Sequence, residues 1–121
     1  MMTEGSATLI LEEMESAKAR GIRIYGEVLG SGSTADAHHI TAPAPGGDGA
    51  LRCMQLAIED AGLSSNDIAS INAHGTSTPL NDAAEAEALS KLFGDNGPPV
   101  TSTKGIPGHA LGAAGAIAAP A

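Results

Sequence analysis

The sequence predicts a layered α/β fold with a mixed, at least partly parallel sheet. Three observations carry that reading. Short apolar runs alternate with stretches of helical period along the 121 residues, the pattern of strands joined by helices. Hydrophobic residues make up 42% of the chain but aromatic ones only 2%, so the core must be built from Ala, Leu, Ile and Gly, which favours close helix-on-sheet packing over ring clusters. Glycines stand just past the periodic stretches, where helices end.

Ser6 to Leu11 reads as a strand, with Ala7, Leu9 and Leu11 alternating with Ser6, Thr8 and Ile10, apolar enough for burial on both faces. Glu12 to Arg20 reads as a short amphipathic helix with Met14 and Ala17 inward, capped by Gly21. Ile22 to Ser31 reads as a second strand whose glycines mark bends or close backbone approach. A long polar loop follows to Gly49, holding His38 and His39.

Gly49 to Gly62 carries the clearest helical stripe, through Leu51, Met54, Ala57, Ile58 and Ala61. After a turn at Ser64 to Asp67, Ile68 to Ala73 reads as a strand that ends at His74-Gly75. Asn81 to Phe93 reads as a helix capped by Asn81 or Asp82. Gly94 to Pro99 is a turn, Val100 to Thr103 a short strand, and Gly108 to Ala119 an Ala/Gly-rich helix. Gly112 and Gly115 weaken that helix unless a neighbouring layer packs tightly on it.

The net charge of −8 argues against nucleic acid or an anionic membrane as the main partner. No apolar run approaches the ~20 residues that span a bilayer. Met1-Met2-Thr3-Glu4 has no basic region followed by an apolar one, so a cytoplasmic setting is expected. The one cysteine, Cys53, excludes an intrachain disulfide and a Cys-based metal site. His38 and His39 are adjacent but have no nearby set of further ligands, so they read as solvated loop residues. No metal is expected.

The chemistry concentrates in Asn72-Ala73-His74-Gly75-Thr76-Ser77-Thr78-Pro79 and in Lys104-Gly105-Ile106-Pro107-Gly108-His109. In layered α/β proteins, reactive groups gather at strand ends and helix starts. His74 follows a strand. His109 is expected in the first turn of the last helix, where the helix field disfavours an imidazolium. A neutral imidazole with an N–H to give can stabilise a developing oxyanion. Gly75 and Gly108 let a carbonyl approach without a Cβ in the way. Thr76 and Thr78 are expected on one side of a short extended segment, gripping a linear peptide-like arm or capping the next helix. Glu85 and Lys104 are the expected charge pair that orients the site.

Three runs carry a resemblance: INAHGTSTPLND with Glu85 beyond it, STKG..GHALGAAGAI, and the long stretch from EGSATLILEE through RIYGEVLGSG to TADAHHITAPAP. They resemble the beta-ketoacyl-acyl carrier protein synthases of the ketosynthase II type, condensing enzymes of fatty acid and polyketide synthesis. The likeness covers nearly the whole chain, and the two histidine motifs together are highly specific.

The resemblance implies a thiolase-like fold of two similar α/β halves, usually homodimeric, with residues 1–121 as a single domain forming most of the C-terminal half, truncated at both ends. It implies that His74 and His109 donate hydrogen bonds to the thioester carbonyl of a malonyl extender and stabilise the enolate left by decarboxylation. Lys104 and Glu85 would set the electrostatics. Thr76 and Thr78 would hold the phosphopantetheine arm of an acyl carrier protein, with no cofactor bound by the chain itself. The reaction would be a decarboxylative Claisen condensation.

The sequence also departs from the family. The nucleophilic cysteine lies in the family's other half, in a Thr-Ala-Cys-Ala type turn absent here, and Cys53 sits within a helix instead. The family's Gly-rich gating loop is absent, and Ala118 stands where an acidic residue is usual. Condensation by this chain alone is therefore not expected, since covalent catalysis needs an activated nucleophile. The expected partners are acyl carrier protein thioesters, the missing N-terminal half or a full-length synthase, and further copies of the chain. The alternatives are a non-catalytic pantetheine or carrier-protein binding module, or a remnant without a selected role. The acidic charge predicts weak docking to an acidic carrier.

Overall fold

The computed structural model describes residues 1–119. Four α-helices and two strands follow in the order α1 (Met14–Ala19), α2 (Asp48–Asp60), β1 (Ile71–Asn72), α3 (Pro79–Phe93), β2 (Val100–Thr101) and α4 (Ala114–Ala118).

Helix α1 is shorter than its apolar stripe suggests because its leading acids serve as caps. Glu13 accepts from the Ser16 amide at 2.8 Å, and Glu12 accepts from the Ser16 hydroxyl and pairs with Arg20. Both α1 and α2 end as the glycines foretell. Gly21 (φ 65°) and Gly62 (φ 68°) are left-handed. In each helix the glycine amide and the next amide fold back on carbonyls of the last turn: Gly21 on Lys18, Ile22 on Ala17, Gly62 on Glu59 and Leu63 on Ile58.

Helices α2 and α3 pack through a small-residue contact. A Cβ on Gly47, at the start of α2, would run into the Ala84 carbonyl of α3, and Ala88 one turn further on is wholly buried. Lys91 clamps the joint from outside, donating to the Gly46 carbonyl at 2.8 Å and pairing with Glu87 and Asp48. Helix α3 starts earlier than expected: Thr78 is its N-cap residue and Pro79 its first, and neither Asn81 nor Asp82 caps it. Proline fits there because the first helical N–H has no intrahelical partner.

Strands β1 and β2 pair in parallel, Ile71 with Val100 and Asn72 with Thr101, across the α3 crossover. The amides of Ile71 and Ala73 donate to the carbonyls of Pro99 and Thr101 at 3.0 and 2.7 Å. This βαβ unit places the loops after both strands at one edge, where parallel sheets put their sites.

The expected strands over 6–11 and 22–31 are not paired in the structure. Alternation reports the wish to bury two faces, not the presence of a ladder partner, and among the described residues these runs have none. Ile10, Leu11, Val28 and Leu29 are correspondingly exposed. The end of the second run lies against α2 instead. Cβ atoms on Gly30 and Gly32 would collide with the α2 backbone around Ala57, Ala61 and Cys53, Ser31 donates its amide to Asp60 at 2.9 Å and the Cys53 thiol donates to the Gly32 carbonyl. The last expected helix is also shorter. A 3-10 turn at Leu111–Ala113 leads into α4, and His109 lies before both.

Candidate active site

The loop after β1 carries His74, and its backbone is held by α3. Glu85 accepts the His74 amide at 2.6 Å through one oxygen and the Gly75 amide at 2.9 Å through the other. Gly75 (φ 43°) is left-handed, and a Cβ there would meet the Ser102 side chain. Ser102 donates to the Gly75 carbonyl at 3.2 Å, joining this loop to the one after β2.

That second loop carries Lys104 on a 3-10 turn and then His109. Asn72 accepts the Thr103 amide and donates to the Ala118 carbonyl, both at 3.3 Å, so one β1 side chain ties the Lys104 turn to the end of α4. The backbone of His109 is bonded on both sides to the opening segment: its amide donates to the Met1 carbonyl and its carbonyl accepts from Thr3, each at 3.0 Å.

The two imidazoles come together, with ring centroids 5.3 Å apart and planes at 88°. The Leu111 amide donates to Nδ1 of His109 at 3.1 Å. A neutral His109 ring therefore carries its proton on Nε2. His109 itself stands outside any helix, not in the first turn of one as expected. His74 is held below the ordinary imidazole range. Burial is the main cause, the Lys104 ammonium adds to it, and the Glu85 carboxylate opposes it. His74 is thus suited to donate an N–H bond rather than to carry charge, and a neutral His109 ring offers its N–H from Nε2.

Two expectations about the surrounding groups change. Glu85 and Lys104 form no ion pair among the described residues, because both Glu85 oxygens are occupied by backbone amides and by Asn81 at 3.5 Å. The two groups act on His74 separately and with opposite sign. Thr76 and Thr78 do lie on one side, with hydroxyls 2.8 Å apart, but the segment is not extended. Ser77 between them has a φ of 62°, which turns the chain so that the hydroxyls bond to each other.

An open cleft of about 200 Å³ adjoins His74, between Asp36, Pro43 and Ala44 of the long loop and Asn81 and Glu85 of α3. A second hollow of about 190 Å³ lies at the amino ends of the strands, near Ser65 and Phe93, away from both imidazoles. His39 is turned inward on its own loop, accepting the amides of Thr41 and Ala42 at 3.2 and 3.1 Å. Among the described residues no three His, Cys, Asp or Glu side chains gather as a metal site, and no helix is long and apolar enough to cross a membrane. Sequence reasoning did not find Ser102 or the opening segment as parts of the site, and it gave Asn72, which opens the first motif, no role of its own. Ser102 carried a signal as a polar residue at a strand end beside the second motif.

Residues 25–120 match the family model described as beta-ketoacyl synthase, C-terminal domain. The chain is 50% identical over 121 residues to 3-oxoacyl-[acyl-carrier-protein] synthase 2 of Staphylococcus aureus, covering 98% of this chain and 30% of that protein. It is 51% identical over 123 residues to the protein of the same name in Synechocystis sp., covering 30% of it. Among solved structures it is similar to the ishigamide ketosynthase/chain length factor, with a TM-score of 0.94 and 45% identity over 98% of this chain and 29% of that one. A beta-ketoacyl synthase from Burkholderia phymatum superposes with a TM-score of 0.85 at 48% identity, over 90% of this chain and 26% of that one. A type II polyketide ketosynthase bound to its acyl-carrier protein gives 0.86 at 40% identity, over 90% and 27%. The chain thus spans about a third of the length of the curated relatives it matches. Its layered α/β elements are those of the thiolase-like ketosynthases, and it belongs to the beta-ketoacyl synthase family, whose C-terminal domain it matches.

Proposed function

We propose that this chain supplies the electrophilic side of a ketosynthase active site, with His74 and His109 holding the thioester carbonyl of a malonyl extender. The observation that carries this is the pairing of two imidazoles 5.3 Å apart, one with its proton directed to Nε2 by the Leu111 amide. Two such donors can meet one oxygen. In the step they serve, the bond between the α-carbon and the carboxylate breaks and carbon dioxide leaves. The electron pair moves into an enolate whose oxygen the two N–H groups stabilise. In condensation that carbon attacks an acyl thioester and expels its thiolate. In simple decarboxylation it takes one proton from water.

Lys104 and Glu85 set the charge state of His74, and Glu85 also fixes its backbone. Thr76 and Thr78 hold the pantetheine arm of an acyl carrier protein, the kind of partner named for one structural relative. Cys53 is not the acyl-accepting thiol. It sits on α2 and donates to the Gly32 carbonyl, so that thiol must come from residues outside these 121. Exposed Ile10, Leu11, Val28 and Leu29 support cover by more of a synthase or by another copy, since apolar surface of this extent is a mark of interfaces. A single free thiol fits a reducing, cytoplasmic setting.

The test is release of labelled carbon dioxide from carboxyl-labelled malonyl-pantetheine by the chain and by His74→Ala and His109→Ala. Each variant is expected to lose about a hundredfold in rate, the usual effect of removing one oxyanion donor. Ring signals of both histidines should shift together on thioester binding. Carbon dioxide release unchanged in both variants would sink the reading. Thioester binding with no release even from the unaltered chain would favour a pantetheine-binding module.

A further inference from the structure

His109 has no regular element of its own to hold it. It lies between Gly108 (φ 77°) and a stretch where Leu111 has a φ of 52°, before the 3-10 turn and α4. Both of its backbone polar groups are nevertheless taken, and by one segment more than a hundred residues away in sequence. Its amide donates to Met1 and its carbonyl accepts from Thr3, each at 3.0 Å, with Met2 as the bridged residue between them. The fit is close. A Cβ on Gly108 would stand 3.1 Å from the Met1 carbonyl oxygen and 3.3 Å from the Thr3 side chain. The segment stays alongside afterwards, since a Cβ on Gly5 would lie 3.7 Å from Ala110 and 3.1 Å from Ile117 of α4.

We propose that residues Met1–Thr3 form a backbone clamp that positions His109, and so sets the placement of its imidazole against that of His74. The two rings then have separate holders. Glu85 grips the backbone of His74, and the opening segment grips that of His109. With its backbone fixed, His109 can accept the Leu111 amide on Nδ1 and keep the proton of its neutral ring on Nε2. Met1, Met2 and Thr3 are positioning residues, acting through His109 and touching no reacting atom. The inference extends the proposed role of the two histidines, but its test reads ring geometry directly and stands apart from activity.

Thr3→Pro removes the N–H that donates to the His109 carbonyl, whereas Thr3→Ala keeps it and trims only the side chain. Amide exchange and imidazole nitrogen NMR would be recorded on both, with thermal melting alongside. In Thr3→Pro the His109 amide should exchange about tenfold faster, as expected for the loss of one backbone bond. The Nδ1-acceptor signature of His109 and the contacts between the two rings should weaken, while the His74 amide stays protected by Glu85. Thr3→Ala should resemble the unaltered chain. Unchanged exchange and ring signals in Thr3→Pro would overturn the proposal, as would an equal effect from Thr3→Ala. Should Thr3→Pro fail to fold, the unaltered chain decides. The Thr3 and His109 amides should lose protection together as denaturant is raised, and a free Thr3 amide beside a protected His109 amide would refute the clamp. Failure of malonyl decarboxylation with these signatures intact would count against the proposed function alone.

Discussion

Glu85 closes on His74 from the side of helix α3, taking the His74 amide on one carboxylate oxygen at 2.6 Å and the Gly75 amide on the other at 2.9 Å. A residue that reads in sequence as half of a charge pair is thus a bidentate backbone acceptor. Its charge acts on the imidazole as well, favouring the protonated ring.

Replacing Glu85 by Ala therefore has two separable effects. Two amides lose a charged acceptor, one at exposed His74 and one at half-buried Gly75, which should cost about 1–3 kcal/mol of stability in denaturant melts. The His74 titration midpoint should also fall further, because the group opposing the shift is gone. Glu85→Gln should lower the midpoint in the same direction while retaining part of the stability. A midpoint that rises in either variant would contradict the field described here.

Lys104→Gln is expected to do the reverse to His74. The ammonium depresses that imidazole, so its removal should raise the midpoint toward the ordinary value. Malonyl decarboxylation should then decline on the acid side of neutrality, as more of the ring becomes charged. Proton NMR titration of the His74 ring is the measurement, and a midpoint that does not move would remove Lys104 from the site's electrostatics.

The pH dependence of folding follows from the same shift. His74 is lowered in the folded chain, so between its folded midpoint and the unfolded value near 6.5 the unfolded chain binds more protons. Its contribution makes stability rise with pH across that window and fall on acidification through it. Below the folded midpoint both states are protonated and the contribution levels off. Comparing chemical melts of the chain and of His74→Gln at several pH values isolates it. The variant should show the shallower slope in that window.

Gly47→Ala should be among the most damaging small substitutions. The residue has a φ of 66°, and its Cβ would enter the Ala84 carbonyl of α3. Overpacking of this kind commonly costs about 1–3 kcal/mol, and the left-handed backbone adds to it. Because Ala84 lies beside Glu85 on α3, the displaced helix should also loosen the His74 amide. Hydrogen exchange at residue 74 would report that coupling.

The sequence by itself determined the helices, their glycine ends and the two histidine motifs. Those features rest on interactions spanning a few residues: a left-handed glycine after the last turn, an acid three residues ahead of an orphan amide, a repeat of apolar residues on one helix face. It also carried the family, because both motifs keep their order and spacing. The tertiary structure decided the rest. It left the runs over 6–11 and 22–31 without ladder partners, turned Glu85 from Lys104 to the backbone, and bent the chain at Ser77. It also set the opening segment against His109. Each outcome depends on which distant donor meets which acceptor, and no local pattern records that, since a carboxylate or an amide is equally ready for any partner that folding brings within 3 Å.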